Sequence, residues 1–267
     1  MTAVLDPTTS HLTHKRTAIE QTPGIPFARL VRVELRKMVD TRAGRWMLIV
    51  MSAVSLLVVL VNLIWGDRES LNFSSFVALT TFPLIVLLPI VGIMAATAEW
   101  SQRTGLVTFT LEPRRVRVLL AKNLAGIILG LVVIAAAFAA AALATLIAIT
   151  VRDVPADWSM TWQSVIGILV GMTIYVIQGL AFGFALLITP LAIVASILLP
   201  TIWSIASSIS ARLDTAGAWL DLNRTVEPLF SGTMSGENWA QLGTSSLVWI
   251  GIPMAIGAWR VLTREVK

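Results

Sequence analysis

Apolar positions gather in six blocks separated by polar or charged stretches: residues 46–65, 74–98, 124–150, 164–188, 191–210 and 243–262. A helix rises 1.5 Å per residue, so about 20 apolar residues match the roughly 30 Å hydrocarbon core of a bilayer. The pattern predicts an all-α membrane protein with six transmembrane helices. Pro83 and Pro89 fall inside the second block and are expected to kink it, and Pro190 marks the turn between the fourth and fifth. Residues 211–242 hold no apolar run of that length and read as a polar segment with isolated aromatics.

Ahead of the first block the pattern changes period. Phe27, Leu30, Val31, Leu35 and Met38 recur at i, i+3, i+4 spacing, while Arg29, Arg32 and Arg36 fall mostly on the opposite side. This predicts an amphipathic helix over 27–45, lying at the membrane interface with its basic face toward anionic lipid. Pro23 and Pro26 precede it, as suits a helix start. Residues 1–26 and 263–267 are expected to be flexible tails. No signal peptide fits, because the first apolar block starts only at Trp46 and no small-residue cleavage site follows it.

Composition agrees: 56% of the 267 residues are hydrophobic and 13% charged, with a mean hydropathy of +0.82. Ordinary soluble domains carry roughly 25% charged residues, so a soluble globular enzyme is excluded. The net charge of +5 raises the question of nucleic acid, but the basic residues flank the apolar blocks. Of the 20 Lys and Arg, eight lie in 1–45, five in 98–123 and three in 260–267, which places sixteen on one side of the predicted membrane. The Asp and Glu divide seven to eight. Only basic residues set orientation, so both termini are expected in the cytoplasm, 211–242 outside, and the chain in the plasma membrane among lipid, with no nucleic-acid partner.

Several chemistries lack their residues. With no cysteine, thiol metal sites and disulfides are out, and no lysine follows a glycine, so the chain has no phosphate-cradling Walker loop. The only histidines, His11 and His14, sit in the polar tail; no Ser-His pair or HExxH motif falls in a span, and no metal site is expected. No charged residue lies between the ends of the predicted spans, which argues against an ion-coupled carrier. Tyr175 and Gln178 are polar groups deep in the fourth span. They are candidates for a substrate pathway, with bonding to a neighbouring helix the alternative for Gln178. Three small-xxx-small pairs, Gly126/Gly130, Gly167/Gly171 and Gly179/Gly183, are expected to bring helices close, within one chain rather than between copies.

The loop 98–123 reads AEWSQRTGLVTFTLEPRRVRVLLAKN, with Pro113 placed to begin a helix that continues into the third span. The set Glu99, Thr104, Pro113, Arg114 or Arg115, Arg117 and Lys122, with the stretch RVELRK at 32–37 ahead of the first span, resembles the ABC-2 type transporter permeases. These are membrane subunits of ABC exporters with an ABCG-like type V fold. The basic ending at 260–267 is similar too. One departure is local: the family often has Gly before the Thr, whereas here Arg103 precedes Thr104 and Gly105 follows, so the turn is expected to differ.

The resemblance implies a permease subunit of an ATP-driven exporter that is not itself an enzyme and holds no cofactor. ATP and Mg would be bound by a separate ABC ATP-binding subunit, and a second permease copy, identical or related, would complete the assembly. It also implies that loop 98–123 is a cytoplasmic coupling loop between spans two and three. Coupling candidates are Glu99, Arg103 and Thr104 there and Glu34 and Arg36 in the first helix, with Glu99 pairing either Arg103 four residues on or a basic residue of the partner. An ion-coupled carrier, or a non-transporting assembly or sensor subunit, is the alternative.

Overall fold

The computed structural model describes residues 25–209 and 211–263; the expected tail with His11 and His14, and residues 264–267, lie outside the described residues. The helices run in the order α1 (Phe27–Asp40), α2 (Arg42–Trp65), α3 (Phe73–Ser101), α4 (Gly105–Leu111), α5 (Arg115–Val151), α6 (Trp162–Leu186), α7 (Thr189–Ile209), α8 (Ala211–Leu220), α9 (Leu222–Ser231), α10 (Gly236–Ser246) and α11 (Ile252–Thr263). A π-helical turn, Leu247–Gly251, joins α10 to α11 into one rod. There is no strand among the described residues. Six helices are long and apolar enough to cross a bilayer: α2, α3, α5, α6, α7 and the rod Gly236–Thr263. The chain is built as a multi-pass membrane protein.

Helix ends depart from the apolar blocks for identifiable reasons. The expected 27–45 helix breaks at Thr41, whose backbone is extended and whose hydroxyl accepts a bond from the Gly44 amide at 3.1 Å, capping α2. A Cβ on Gly44 would lie 1.8 Å from the Met38 carbonyl oxygen, so this elbow requires glycine. The third span starts at Arg115, just after Pro113, and runs 37 residues. The α6–α7 turn lies at Leu187, which adopts φ 58°, and Pro190 sits inside the first turn of α7, where its missing N–H is tolerated. The sixth span begins at Gly236 rather than 243, because Ser235 and Asn238 form a reciprocal capping box. Both inner prolines of the second block, Pro83 and Pro89, are accommodated within α3.

α3 and α6 form the centre. Of their apolar stretches 61% is buried, against 11% in α2 and in the terminal rod. Where the surroundings of a bundle are as apolar as its core, tight contact and hydrogen bonds hold helices together more than exclusion from water does. The glycines supply that contact. A Cβ on Gly179 would come 2.0 Å from the Pro89 carbonyl oxygen, and one on Gly92 would come 2.6 Å from the Val176 carbonyl oxygen. Gly126 and Gly130 meet Leu180 and Val176, Gly167 and Gly171 meet Leu229 and Phe230, and Gly183 meets Ala96, so all three small-xxx-small pairs pack within the chain. Arg152, at the end of α5, donates to the carbonyls of Leu63, Ile64 and Gly66 and so satisfies the C-terminus of α2.

α1 spans Phe27–Asp40, and its apolar stripe is not free for lipid. Val31 and Met38 are buried, and the helix packs mainly on α5, then on α2 and α3. Arg29, Arg32 and Arg36 remain on the outer face. The polar segment 211–242 folds into α8, α9 and the first part of α10, anchored by buried Leu222 and Leu229, while Trp239 is exposed.

Candidate functional site, a buried ion network beside a short amphipathic helix

The basic end of the bundle is where α1, the end of α3, α4 and the start of α5 meet. α3 finishes there in a closed turn. Gln102 caps it, Arg103 follows in the left-handed region at φ 56°, and the Thr104 amide bonds back to the Glu99 carbonyl at 3.0 Å. This six-to-one bond is the Schellman closure, whose left-handed position is usually glycine. The five-residue separation of Glu99 and Thr104 is therefore the spacing the turn itself requires. Here an arginine carries the left-handed residue, at the place where the resembling family often has Gly.

Glu99 points its side chain inward, away from Arg103. Its Oε1 lies 2.7 Å from Lys122 Nζ and 3.1 Å from Lys37 Nζ. Glu34 completes the set, with Oε2 at 2.5 Å from Lys122 and Oε1 at 2.7 Å from Lys37. Lys122 also donates to the Ala95 carbonyl at 3.2 Å. Glu34, Glu99 and Lys122 are 5%, 4% and 3% exposed, so each is desolvated, and only the alternation of two carboxylates with two ammoniums offsets that cost. Lys37 lies on the rim. Partial burial acts against its ammonium, but the Glu34 and Glu99 carboxylates outweigh this and hold its pKa above the ordinary lysine value. The network joins α1, α3 and α5, elements far apart in sequence.

α4 hangs beside this junction on three contacts. The Phe109 ring lies 6.5 Å from the Trp100 ring of α3 and 4.8 Å under the Arg115 guanidinium of α5. Buried Glu112, after α4, accepts from Arg117 at 2.7 Å, and Arg117 also donates to the Ile25 carbonyl ahead of α1 at 2.8 Å. The other face of α4 is apolar and open: Leu106, Val107 and Leu111 are 58%, 60% and 68% exposed, next to exposed Arg103 and Arg114.

The five coupling candidates thus separate by environment. Glu99 and Glu34 are buried and share both lysines; Arg103, Thr104 and Arg36 are exposed around them. The expected Glu99–Arg103 pair does not form, since α3 ends at Ser101 and Arg103 has left the helix. Glu99 sits two residues before the end of α3, at the span terminus as expected, and Lys122 lies in the part of α5 that precedes the apolar block 124–150. Lys122 and Lys37 were not among the site residues drawn from the sequence, although both stand in the motifs that carry the resemblance. At mid-bundle, the Tyr175 hydroxyl donates to Asn223 Oδ1 at 2.9 Å, tying α6 to α9. Gln178, one turn further along α6, is 4% exposed. Comparison with protein-family models, curated proteins and solved structures returns no match.

Proposed function

We propose that the chain is the membrane-spanning permease subunit of an ATP-driven ABC exporter of the ABC-2 type. In this reading both termini face the cytoplasm, and a second permease copy and a separate ATP-binding subunit complete the complex in the plasma membrane. The observation that carries the reading is α4: a short helix with an open apolar face, set on the basic side between two spanning helices and fastened to both. Leu106, Val107 and Leu111 offer a partner a dry contact, and Arg103 and Arg114 offer it charge. A push on α4 reaches α3 through the closed turn at Arg103 and α5 through Phe109 and Arg115, and the ion network carries it on to α1. A packed, fully paired junction transmits displacement because it has no slack to absorb it. With no Walker loop here, the ATPase is another chain. The network also speaks against an ion-coupled carrier: its two carboxylates are already matched by two ammoniums, leaving no vacancy for a travelling cation.

The test pairs the full chain with an ATP-binding subunit, sought first among the products of neighbouring genes. Wild type is expected to form a complex with vanadate-sensitive ATPase activity, while the lone chain hydrolyses nothing. Leu106→Asp with Leu111→Asp should keep the folded membrane bundle but abolish the complex. ATP hydrolysis by the lone, contaminant-free chain, or unchanged assembly of the double variant, would overturn the proposal.

A further inference from the structure

At the end of the bundle opposite the ion network, a cavity of about 640 Å³ opens between α3, α6, α7 and the α8–α9 segment. Its walls differ in chemistry. Phe82, Ile85 and Phe230 make one side aliphatic and aromatic, and Asp214, Asp221 and Glu227 make the other acidic. Arg224, also on the wall, is held by Asp214 at 2.7 Å, which leaves Asp221 and Glu227 without a cation among the described residues. Asp221 is 4% exposed, and its Oδ1 accepts the Asn223 and Arg224 amides at 3.0 and 3.3 Å, capping α9. Its second oxygen meets no partner among the described residues. The two amides at the start of α9 satisfy the first oxygen, and no lysine or arginine side chain among the described residues pairs the carboxylate.

A second cavity, about 720 Å³, adjoins the first across the shared Phe82, Ile85 and Phe230. Hydroxyls such as Thr81 and Ser164 line it together with apolar side chains, and no charged side chain does. A small metal ion would need three or more oxygens closing on one point, and no such group exists among the described residues. An acidic chamber opening over aromatic rings into an uncharged one suits a larger guest.

The geometry points to a binding site for an amphipathic organic cation, its positive group against Asp221 and Glu227 and its apolar body over Phe82 into the uncharged chamber. This deepens the transport reading and rests on it for the step that makes the guest the cargo.

Two ions of nearly equal size and opposite charge, tetraphenylphosphonium and tetraphenylborate, test it by equilibrium dialysis. The full chain is held in nanodiscs of phosphatidylcholine, with empty nanodiscs subtracted. The phosphonium is expected to bind saturably and about tenfold or more tighter than the borate, because Asp221, which is buried, and Glu227 put negative charge on the same wall. Asp221→Asn keeps the α9 cap, since Asn caps as well as Asp. Together with Glu227→Gln it should weaken the phosphonium about tenfold and spare the borate. Glu227→Gln alone, at an exposed position, should give part of that loss without touching the fold. Phe82→Ala should weaken both ions. Equal or unsaturable binding of the two ions, or a charge-removed variant that binds phosphonium like wild type, would overturn the site. The measurement needs no ATPase, so a missing ATP-binding partner would remove the transport reading alone, and loss of charge preference would remove the site alone.

Discussion

At the residue scale, the balance of the ion network decides what each substitution costs. Lys122→Met leaves Glu34 and Glu99 buried with only the rim ammonium of Lys37, and breaking a buried set in this way costs about 3–5 kcal/mol. A large fall in Tm and loss of monodisperse chain on gel filtration are expected, with a smaller effect from Lys37→Met. The pH dependence has a definite sign. A raised lysine pKa means that the contribution of Lys37 is fully present below its ordinary value of 10.5 and is lost only as pH rises through the still higher value of the folded chain. Thermal unfolding should show no loss from this group between pH 6 and 9 and a decline in strongly alkaline buffer. Arg103→Gly removes a side chain from a left-handed position and is expected to raise stability by about 0.5–1 kcal/mol. If Arg103 also touches the ATP-binding subunit, the same variant weakens the complex, so stability and assembly move in opposite directions. The pairings between elements were not legible in the sequence. Glu34 and Lys122 are 88 positions apart, and Lys37 and Glu99 are 62 apart. Reading along the chain reaches only near neighbours, which is how Arg103 came to be matched with Glu99.

At the scale of elements, periodicity located the helices but not what covers them. The stripe of α1 is as apolar as a lipid-facing stripe would be, and only the packed bundle reveals α5 as its cover. Hydropathy marks only the apolar part of α5, from 124; Pro113 is what signals the earlier start, and backbone hydrogen bonds carry the helix past the edge of the hydrocarbon. A helix of 37 residues is about 55 Å long, well beyond a core of roughly 30 Å. That overhang carries Arg115 and Lys122 into the junction. Phe109→Ala should leave the bundle folded while faster amide exchange appears in α4 and affinity for the ATP-binding subunit drops about tenfold, the range of a lost aromatic anchor. Unchanged exchange in α4 would mean that Phe109 does not hold it. In the centre, Gly179→Val would drive a side chain into the Pro89 carbonyl and part α3 from α6, at a cost of about 1–3 kcal/mol or more. Gly243→Val, where a Cβ meets nothing within 4 Å, is the matched control and should leave Tm unchanged.

At the scale of the whole molecule, six spans were legible because about 20 apolar residues in a row have few other fates, and the count survived every shift of a helix end. The helices within 211–242 had no mark in the apolar pattern and were suggested by the family resemblance alone, since pieces of ten residues leave no long apolar signature. An even number of spans also constrains orientation. Helices alternate in direction, so with six crossings α4, the ion network and the described basic residues around them share a compartment, with the acidic cavity and Ser235 in the other. In the orientation proposed from the excess of basic residues, the first compartment is the cytoplasm. The chain has no cysteine, so single cysteines can test this with a membrane-impermeant maleimide on intact cells. Gly236→Cys is the better outer probe, because a Cβ there meets nothing within 4 Å whereas Ser235 holds the α10 capping box. Leu106→Cys, on the open face of α4, is the inner probe. Labelling of Gly236→Cys in intact cells, and of Leu106→Cys only after permeabilisation, is expected. The reverse pattern would place α4 outside, away from cellular ATP, and no arrangement of the junction could then couple it to a cytoplasmic ATPase.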